Sequence, residues 1–172
     1  MNPLIQLREL GQSPWYDYIR RGLITSGELK ALIDHDGLMG VTSNPSIFEK
    51  AIGGSTDYNQ ALKQIASSVT SVKDIYEALA VRDIQDATDL MHPVYEQSQT
   101  RDGYVSLEVS PDLAYNTQGT IDEAVRLHKA VGRDNVMIKV PATPEGLPAI
   151  EYLLSQGINV NVTLLFSVEV YE

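Results

Sequence analysis

Cysteine is absent from the 172-residue sequence, which excludes a disulfide framework, a thiolate metal site and a cysteine nucleophile. That absence fits a reducing compartment, and a cytoplasmic location is the expectation. Long hydrophobic runs are also missing. None approaches the ~18 residues of a membrane helix, and MNPLIQLREL lacks the basic start and apolar core of an export signal. No membrane partner is expected. Positive charge is scarce, with 13 Lys and Arg against 23 Asp and Glu, a formal net charge of −10. This balance argues against a nucleic-acid partner and confines any phosphate binding to a local cationic or amide-lined pocket. His35, His92 and His128 lie singly, without metal-ligand spacing, and Gly37 and Gly40 do not form a dinucleotide fingerprint. No repeat, low-complexity tract or linker divides residues 1–172, and the composition, 43% hydrophobic and 21% charged, suits one soluble folding unit with a real core.

What is present is an alternation of helical and β-type segments. Thr25-Ser26-Gly27-Glu28 reads as a capping box before Leu29, Leu32 and Ile33, with Asp36-Gly37 as the stop. Thr120-Ile121-Asp122-Glu123 reads the same way before Ala124, Leu127 and Val131, ending at Gly132. Thr143-Pro144 predicts the start of a helix with Leu147, Ile150 and Leu154 on one face and Gly157 after it. Ser71 to Gln99 is helical by periodicity, as one helix or two.

Between these helices lie candidate strands at Trp15–Ile19, Leu38–Thr42, Tyr104–Val109, Asn135–Val140 and Ile158–Phe166. Strands separated by crossover helices predict a parallel sheet with helices packed outside. Side-chain parity then sorts the faces. Ile158, Val160, Val162 and Leu164 oppose Asn159, Asn161 and Thr163; Val105, Leu107 and Val109 oppose Ser106 and Glu108; Ile138 and Val140 oppose Lys139. Buried parallel strands usually read apolar on both faces. A polar set holding an amine, a carboxylate, amides and hydroxyls instead suits the interior of a (β/α) barrel, where groups near the carboxyl ends of strands converge.

Each residue also has a plainer reading. Lys139 alone fits an edge-strand lysine that discourages aggregation equally well. Glu108 could serve only as its partner, and Asp17 could be a solvated turn residue. Asn161-Val162-Thr163 matches a glycosylation sequon, which inside a strand reads as chance. The functional reading of Lys139 rests on chemistry. Apolar surroundings destabilise an ammonium, so a neutral, nucleophilic amine is expected near neutral pH. Such an amine attacks a carbonyl to form a Schiff base, whose protonated imine takes up the electron pair released when a carbon–carbon bond breaks. Nearby carboxylates move the protons. Glu108 and Asp17 are the available carboxylates.

Four segments, Gly40-Val41-Thr42-Ser43-Asn44-Pro45-Ser46-Ile47-Phe48, Val105-Ser106-Leu107-Glu108-Val109-Ser110-Pro111, Met137-Ile138-Lys139-Val140-Pro141-Ala142-Thr143 and Asn161-Val162-Thr163-Leu164-Leu165-Phe166-Ser167, together resemble transaldolase in its own order. Gly11-Gln12-Ser13-Pro14-Trp15-Tyr16-Asp17 is similar to the branch holding long bacterial transaldolases and the transaldolase half of isomerase fusions. The resemblance implies a (β/α)₈ TIM barrel free of metal and cofactor. Its implied reaction moves a dihydroxyacetone unit from a ketose phosphate, sedoheptulose 7-phosphate or fructose 6-phosphate, to an aldose phosphate in the pentose phosphate pathway. It gives Lys139 the part of Schiff-base lysine, Glu108 that of the carboxylate acting through a catalytic water, and Asp17 that of the acid/base on the substrate hydroxyl. Asn44, Asn161 and Thr163 are implied to orient the donor hydroxyls and the water, while Ser43 reads equally well as a turn residue.

A complete barrel needs ~250 residues and eight strands, whereas five candidate strands are present here. The expectation is therefore an N-terminal part of a longer barrel domain, with about five βα units and without the later family segments whose serine and arginine grip the substrate phosphate. Open sheet edges would then favour self-association. Two alternatives stand beside transaldolase: a fructose 6-phosphate aldolase-type lyase sharing the lysine, and a catalytically inactive association module.

Overall fold

The computed structural model describes residues 2–65 and 71–172. Asn2 caps the first helix, α1 (Pro3–Glu9), by accepting from the Leu4 amide, with Pro3 pre-set at its first position. Then come β1 (Trp15–Asp17), α2 (Arg21–Thr25), α3 (Glu28–Asp36), β2 (Gly40–Thr42), α4 (Pro45–Gly54), α5 (Asn59–Ile65) and α6 (Val72–Gln97). The remainder is β3 (Tyr104–Glu108), a 3₁₀ turn at Pro111–Leu113, α7 (Thr117–Val131), β4 (Val136–Pro141), α8 (Gly146–Ser155), β5 (Val160–Thr163) and α9 (Val168–Tyr171).

All five strands are parallel and lie side by side in chain order, β1-β2-β3-β4-β5. A doubly wound sheet would reverse its strand order at a switch point; sequential order with helices outside is an arc of a (β/α) barrel. Register fixes the faces. Asp17 lies opposite Thr42, Glu108 opposite Lys139, and Lys139 opposite Asn161, so the polar positions form rows on one side of the sheet. Val41, Val105, Leu107, Ile138 and Val140 point the other way, into a core with Leu23, Leu29, Phe48, Ile84, Met91, Leu127, Val131 and Leu153 of the helices. Each large side chain buried there contributes about 1.5–3 kcal/mol, so the helix layer holds the sheet in its curve while leaving the polar side uncovered.

A satellite cluster of Ala51, Tyr58 and Leu79 sits under the excursion between β2 and β3. A polar network ties that excursion down. Arg21 donates to Asp83 through Nε (2.9 Å) and Nη2 (2.7 Å), and the Tyr58 hydroxyl donates to the second Asp83 oxygen at 2.8 Å. The same hydroxyl accepts from the Arg21 amide at 3.0 Å, and Asp57 accepts from the Gly22 amide at 3.0 Å. Asp57 and Tyr58 thus satisfy the first amides of α2 from another part of the chain, where Arg20 offers no side-chain cap.

Several local expectations change. The helix before Leu29 starts at Glu28 as expected, but Thr25 does not cap it: Thr25 ends α2, its hydroxyl donating back to the Arg21 carbonyl, while the Ser26 hydroxyl accepts from the Glu28 amide at 3.3 Å and Gly27 at φ +84° turns the chain into α3. The α7 cap is Asn116, which accepts from the Gly119 amide, and Thr120 lies inside the helix with its hydroxyl donating to the Leu113 carbonyl. α8 buries Gly146, Ala149 and Leu153, whereas Leu147 and Leu154 face out. Its assigned start falls after Thr143-Pro144, yet the Thr143 hydroxyl accepts from the Gly146 amide at 3.0 Å as a cap does. Leu164 leaves β5 in a left-handed conformation, φ +66°, so it does not continue the apolar row. Residues 72–97 form one helix despite Pro93. At Gly103, φ +84°, an added Cβ would lie 2.2 Å from the Tyr95 amide nitrogen, so only glycine lets α6 pass directly into β3.

Candidate active site

Lys139 stands on β4 with its ammonium between two acceptors. Nζ lies 3.3 Å from the Glu108 carboxylate on β3 and donates to the Ser43 carbonyl at 3.3 Å. Only 13% of the Lys139 side chain and 19% of the Glu108 side chain are exposed, which shields the pair while leaving a path for water. Burial holds Glu108 above the usual carboxylate range; the Lys139 ammonium pulls it back, and the charge on Asp17 pushes it further up. A carboxyl so placed keeps its proton to higher pH than an exposed glutamate does.

The floor beneath this pair is made of hydroxyls. The buried Ser106 hydroxyl donates to Thr42 Oγ1 at 2.9 Å, and the buried Ser43 hydroxyl donates to the Ser106 carbonyl at 2.7 Å. Ser43 therefore does two things: its side chain fastens the end of β2 to β3, and its carbonyl receives the lysine. Further down the same face, the Trp15 ring lies over Gly40, where a Cβ would come within 2.2 Å of it.

The structure brings Glu108, Lys139 and Asn161 into one row across three strands. Asp17 sits on the same face at the exposed carboxyl end of β1, in register with Thr42. Thr163 lies two residues beyond Asn161, opposite Pro141. Asn44 has a structural task, capping α4 by accepting from the Ile47 amide at 2.9 Å; its amide nitrogen has no hydrogen-bond partner among the described residues. Residues not singled out as site residues are Thr42, Ser106 and Tyr76. Parity places Ser106 beside Glu108, but nothing in the sequence announces that its hydroxyl meets Thr42. Tyr76, from α6, is pushed up to about 12 by burial, with Glu108 the next influence, so this neutral phenol borders the carboxylate from the helix side. A cavity of about 400 Å³ opens there, between Tyr76, Leu107, Glu108 and Pro111.

Among the described residues, no three His, Asp or Glu side chains are grouped to hold a metal ion. The arrangement places the Lys139 amine, the Glu108 carboxyl and the Asp17 carboxyl on one polar face. The model of the transaldolase/fructose-6-phosphate aldolase family matches residues 14–172. The chain belongs to that family. It is 52% identical over 170 residues to a transaldolase of Trichodesmium erythraeum (strain IMS101), covering 99% of this chain and 45% of that protein. It is 51% identical over 168 residues to a transaldolase of Thiobacillus denitrificans (strain ATCC 25259 / T1), covering 98% and 47%, and 50% identical over 171 residues to a transaldolase 2 of Nostoc sp. (strain PCC 7120), covering 99% and 45%. The chain thus spans less than half the length of the curated relatives it matches. The five-stranded arc is the family's barrel architecture in part, and the lysine-bearing face is its polar interior.

Proposed function

We propose that the chain carries the Schiff-base machinery of a transaldolase, transferring a dihydroxyacetone unit from a ketose phosphate to an aldose phosphate. The observation that carries this reading is Lys139, shielded on the polar face, 3.3 Å from Glu108 and in register with Asn161. Its relatives, which are transaldolases, support it. Lys139 Nζ, as the free amine, adds to the donor's ketone carbon to give a carbinolamine. Glu108, through a water, delivers the proton that lets hydroxide leave as water, and the protonated imine results. Asp17 then takes the proton of the hydroxyl on the carbon to be released; that carbon becomes an aldehyde, the carbon–carbon bond breaks, and its electron pair moves into the imine to form an enamine. Addition of the enamine to the acceptor aldehyde and hydrolysis of the new imine reverse these steps. Asn161, Thr163 and the amide of Asn44 orient the donor's hydroxyls. The reaction belongs to the pentose phosphate pathway, in the cytoplasm.

The test is borohydride reduction in the presence of fructose 6-phosphate, followed by peptide mapping. A dihydroxyacetone-derived adduct on Lys139 is expected, and turnover with Lys139 unmodified would overturn the assignment. Adding erythrose 4-phosphate separates transfer from simple lysis, since an aldolase releases product without the acceptor. A second reading, association, rests on the unpaired edges of β1 and β5 and on exposed Phe166, Val168 and Tyr171 beyond β5. Mass that rises with concentration in sedimentation is its signature.

A further inference from the structure

Five of the seven arginines are held by carboxylates: Arg20 by Asp57, Arg21 by Asp83, Arg82 by Asp86, Arg126 by Glu77 and Arg133 by Asp89. Arg8 and Arg101 have no carboxylate partner among the described residues, and both border the same cavity of about 740 Å³. In a chain of net charge −10, a concavity whose two guanidinium groups have no ion-pair partner and match its acidic groups in number is a local exception. The cavity lies at the amino-terminal ends of β1, β2 and β3, bordered by Ser13 and Met39 just before β1 and β2 and by Asp102 just before β3. Lys139 and Glu108 belong to the other end of the sheet.

The turn that delivers Arg101 is strained. Gln99 and Thr100 both have positive φ, +55° and +64°, a conformation costly for a β-branched residue and kept only where the surroundings over-determine it. Here the Thr100 amide donates to the Tyr95 carbonyl at 2.8 Å, and the Thr100 carbonyl accepts from the Tyr104 hydroxyl at 2.7 Å. Arg101 Nε is spent on the Ser98 carbonyl at 3.1 Å, which orients the guanidinium and leaves its terminal nitrogens for another acceptor. The Gly11-Gln12-Ser13 motif, which the proposed chemistry does not use, supplies further lining. Two acidic groups border the same space, Glu9 and Asp102, the latter already accepting from the Ser13 hydroxyl.

We propose that this cavity is a second ligand site, for a small phosphomonoester that carries hydroxyl groups. Arg8 and Arg101 take the phosphate, Arg101 through its forked nitrogens. Glu9 and Asp102 accept from the hydroxyls, and they make a bare anion a poorer fit than a phosphorylated polyol. The volume is in the range of small-molecule pockets. The site stands apart from the Schiff-base reading and does not depend on it.

Calorimetric titration of the chain with glycerol 3-phosphate and, separately, with inorganic phosphate tests this, since neither probe has a carbonyl to react with Lys139. Saturable binding is expected, tighter for glycerol 3-phosphate. R8Q and R101Q should each weaken it by about tenfold or more, as loss of a charge-assisted hydrogen bond does, and the double variant should abolish it. R8K and R101K keep the charge without the fork and should fall between. Lys139→Ala should leave binding unchanged. Both arginines are exposed, and an unaltered far-ultraviolet circular dichroism spectrum confirms that the variants fold. Absence of saturable binding at millimolar probe, binding that survives the double arginine change, or binding lost with Lys139 would each overturn the proposal. Equal affinity for the two probes would remove the part given to Glu9 and Asp102.

Discussion

On the helix side of the sheet, Val41, Val105, Ile138 and Val140 are wholly buried against α2, α4, α6 and α7, and even the charged Asp83 there has every oxygen engaged. On the opposite side, Thr42, Glu108, Lys139, Asn161 and Thr163 stay partly open, and one of them, Glu108, is held away from its ordinary titration range. The first side spends its side chains on cohesion. The second keeps polar groups that are incompletely matched, as a site must if it is to exchange partners with a substrate during a reaction.

Substitutions on the two sides should therefore separate stability from chemistry. The largest effect expected is complete loss of borohydride trapping in Lys139→Ala, with the circular dichroism spectrum retained; a variant that still traps substrate would place the nucleophile elsewhere. Next, Asp83→Ala strands the Arg21 charge and the Tyr58 hydroxyl in the helix layer. It should cost about 3–5 kcal/mol in urea unfolding, and a loss under 1 kcal/mol would show the network to be dispensable. Ile138→Ala, immediately beside the lysine in sequence but on the buried face, should cost about 2–5 kcal/mol. Glu108→Gln should slow imine formation by about 10²–10⁴-fold, with little effect on folding.

Glu108 also sets a pH dependence. Its carboxyl is raised above the ordinary 4.5 in the folded chain, so its contribution to stability is full below that value and is lost as pH rises through the raised one. Removing the ammonium with Lys139→Met should move Glu108 further up, seen as a higher midpoint of its carboxyl carbon-13 shift. No movement would mean that the two side chains do not feel each other. The smallest change is expected from Asn161→Ala on the open face, within about 0.5 kcal/mol of stability.

Parity alone made most of this contrast legible. The alternation in Tyr104–Glu108 and Val136–Pro141 puts Glu108 and Lys139 on one face before any pairing is known, and register then sets them side by side. Helix starts were harder to read, because a hydroxyl near an acidic residue signals a cap only if the backbone reaches it. Thr120 and Thr25 both have other acceptors within reach, the Leu113 and Arg21 carbonyls. α8 turns a different face inward from the one its leucines predict, because small residues, Gly146 and Ala149, permit the close approach that the larger leucines do not. Nothing in the local pattern shows that Asp57 and Tyr58 cap a helix more than thirty residues earlier, or that two arginines ninety-three positions apart share one cavity.

The acceptor that Ser43 gives to Lys139 is a main-chain carbonyl, and every residue type would offer the same one. Point substitution at that position can loosen the tether to β3 but cannot delete the contact itself. Chain length can. Shortening or lengthening the turn after β2 by one residue would swing a different peptide plane toward the amine, so the placement of the Lys139 amine is governed by spacing more than by spelling.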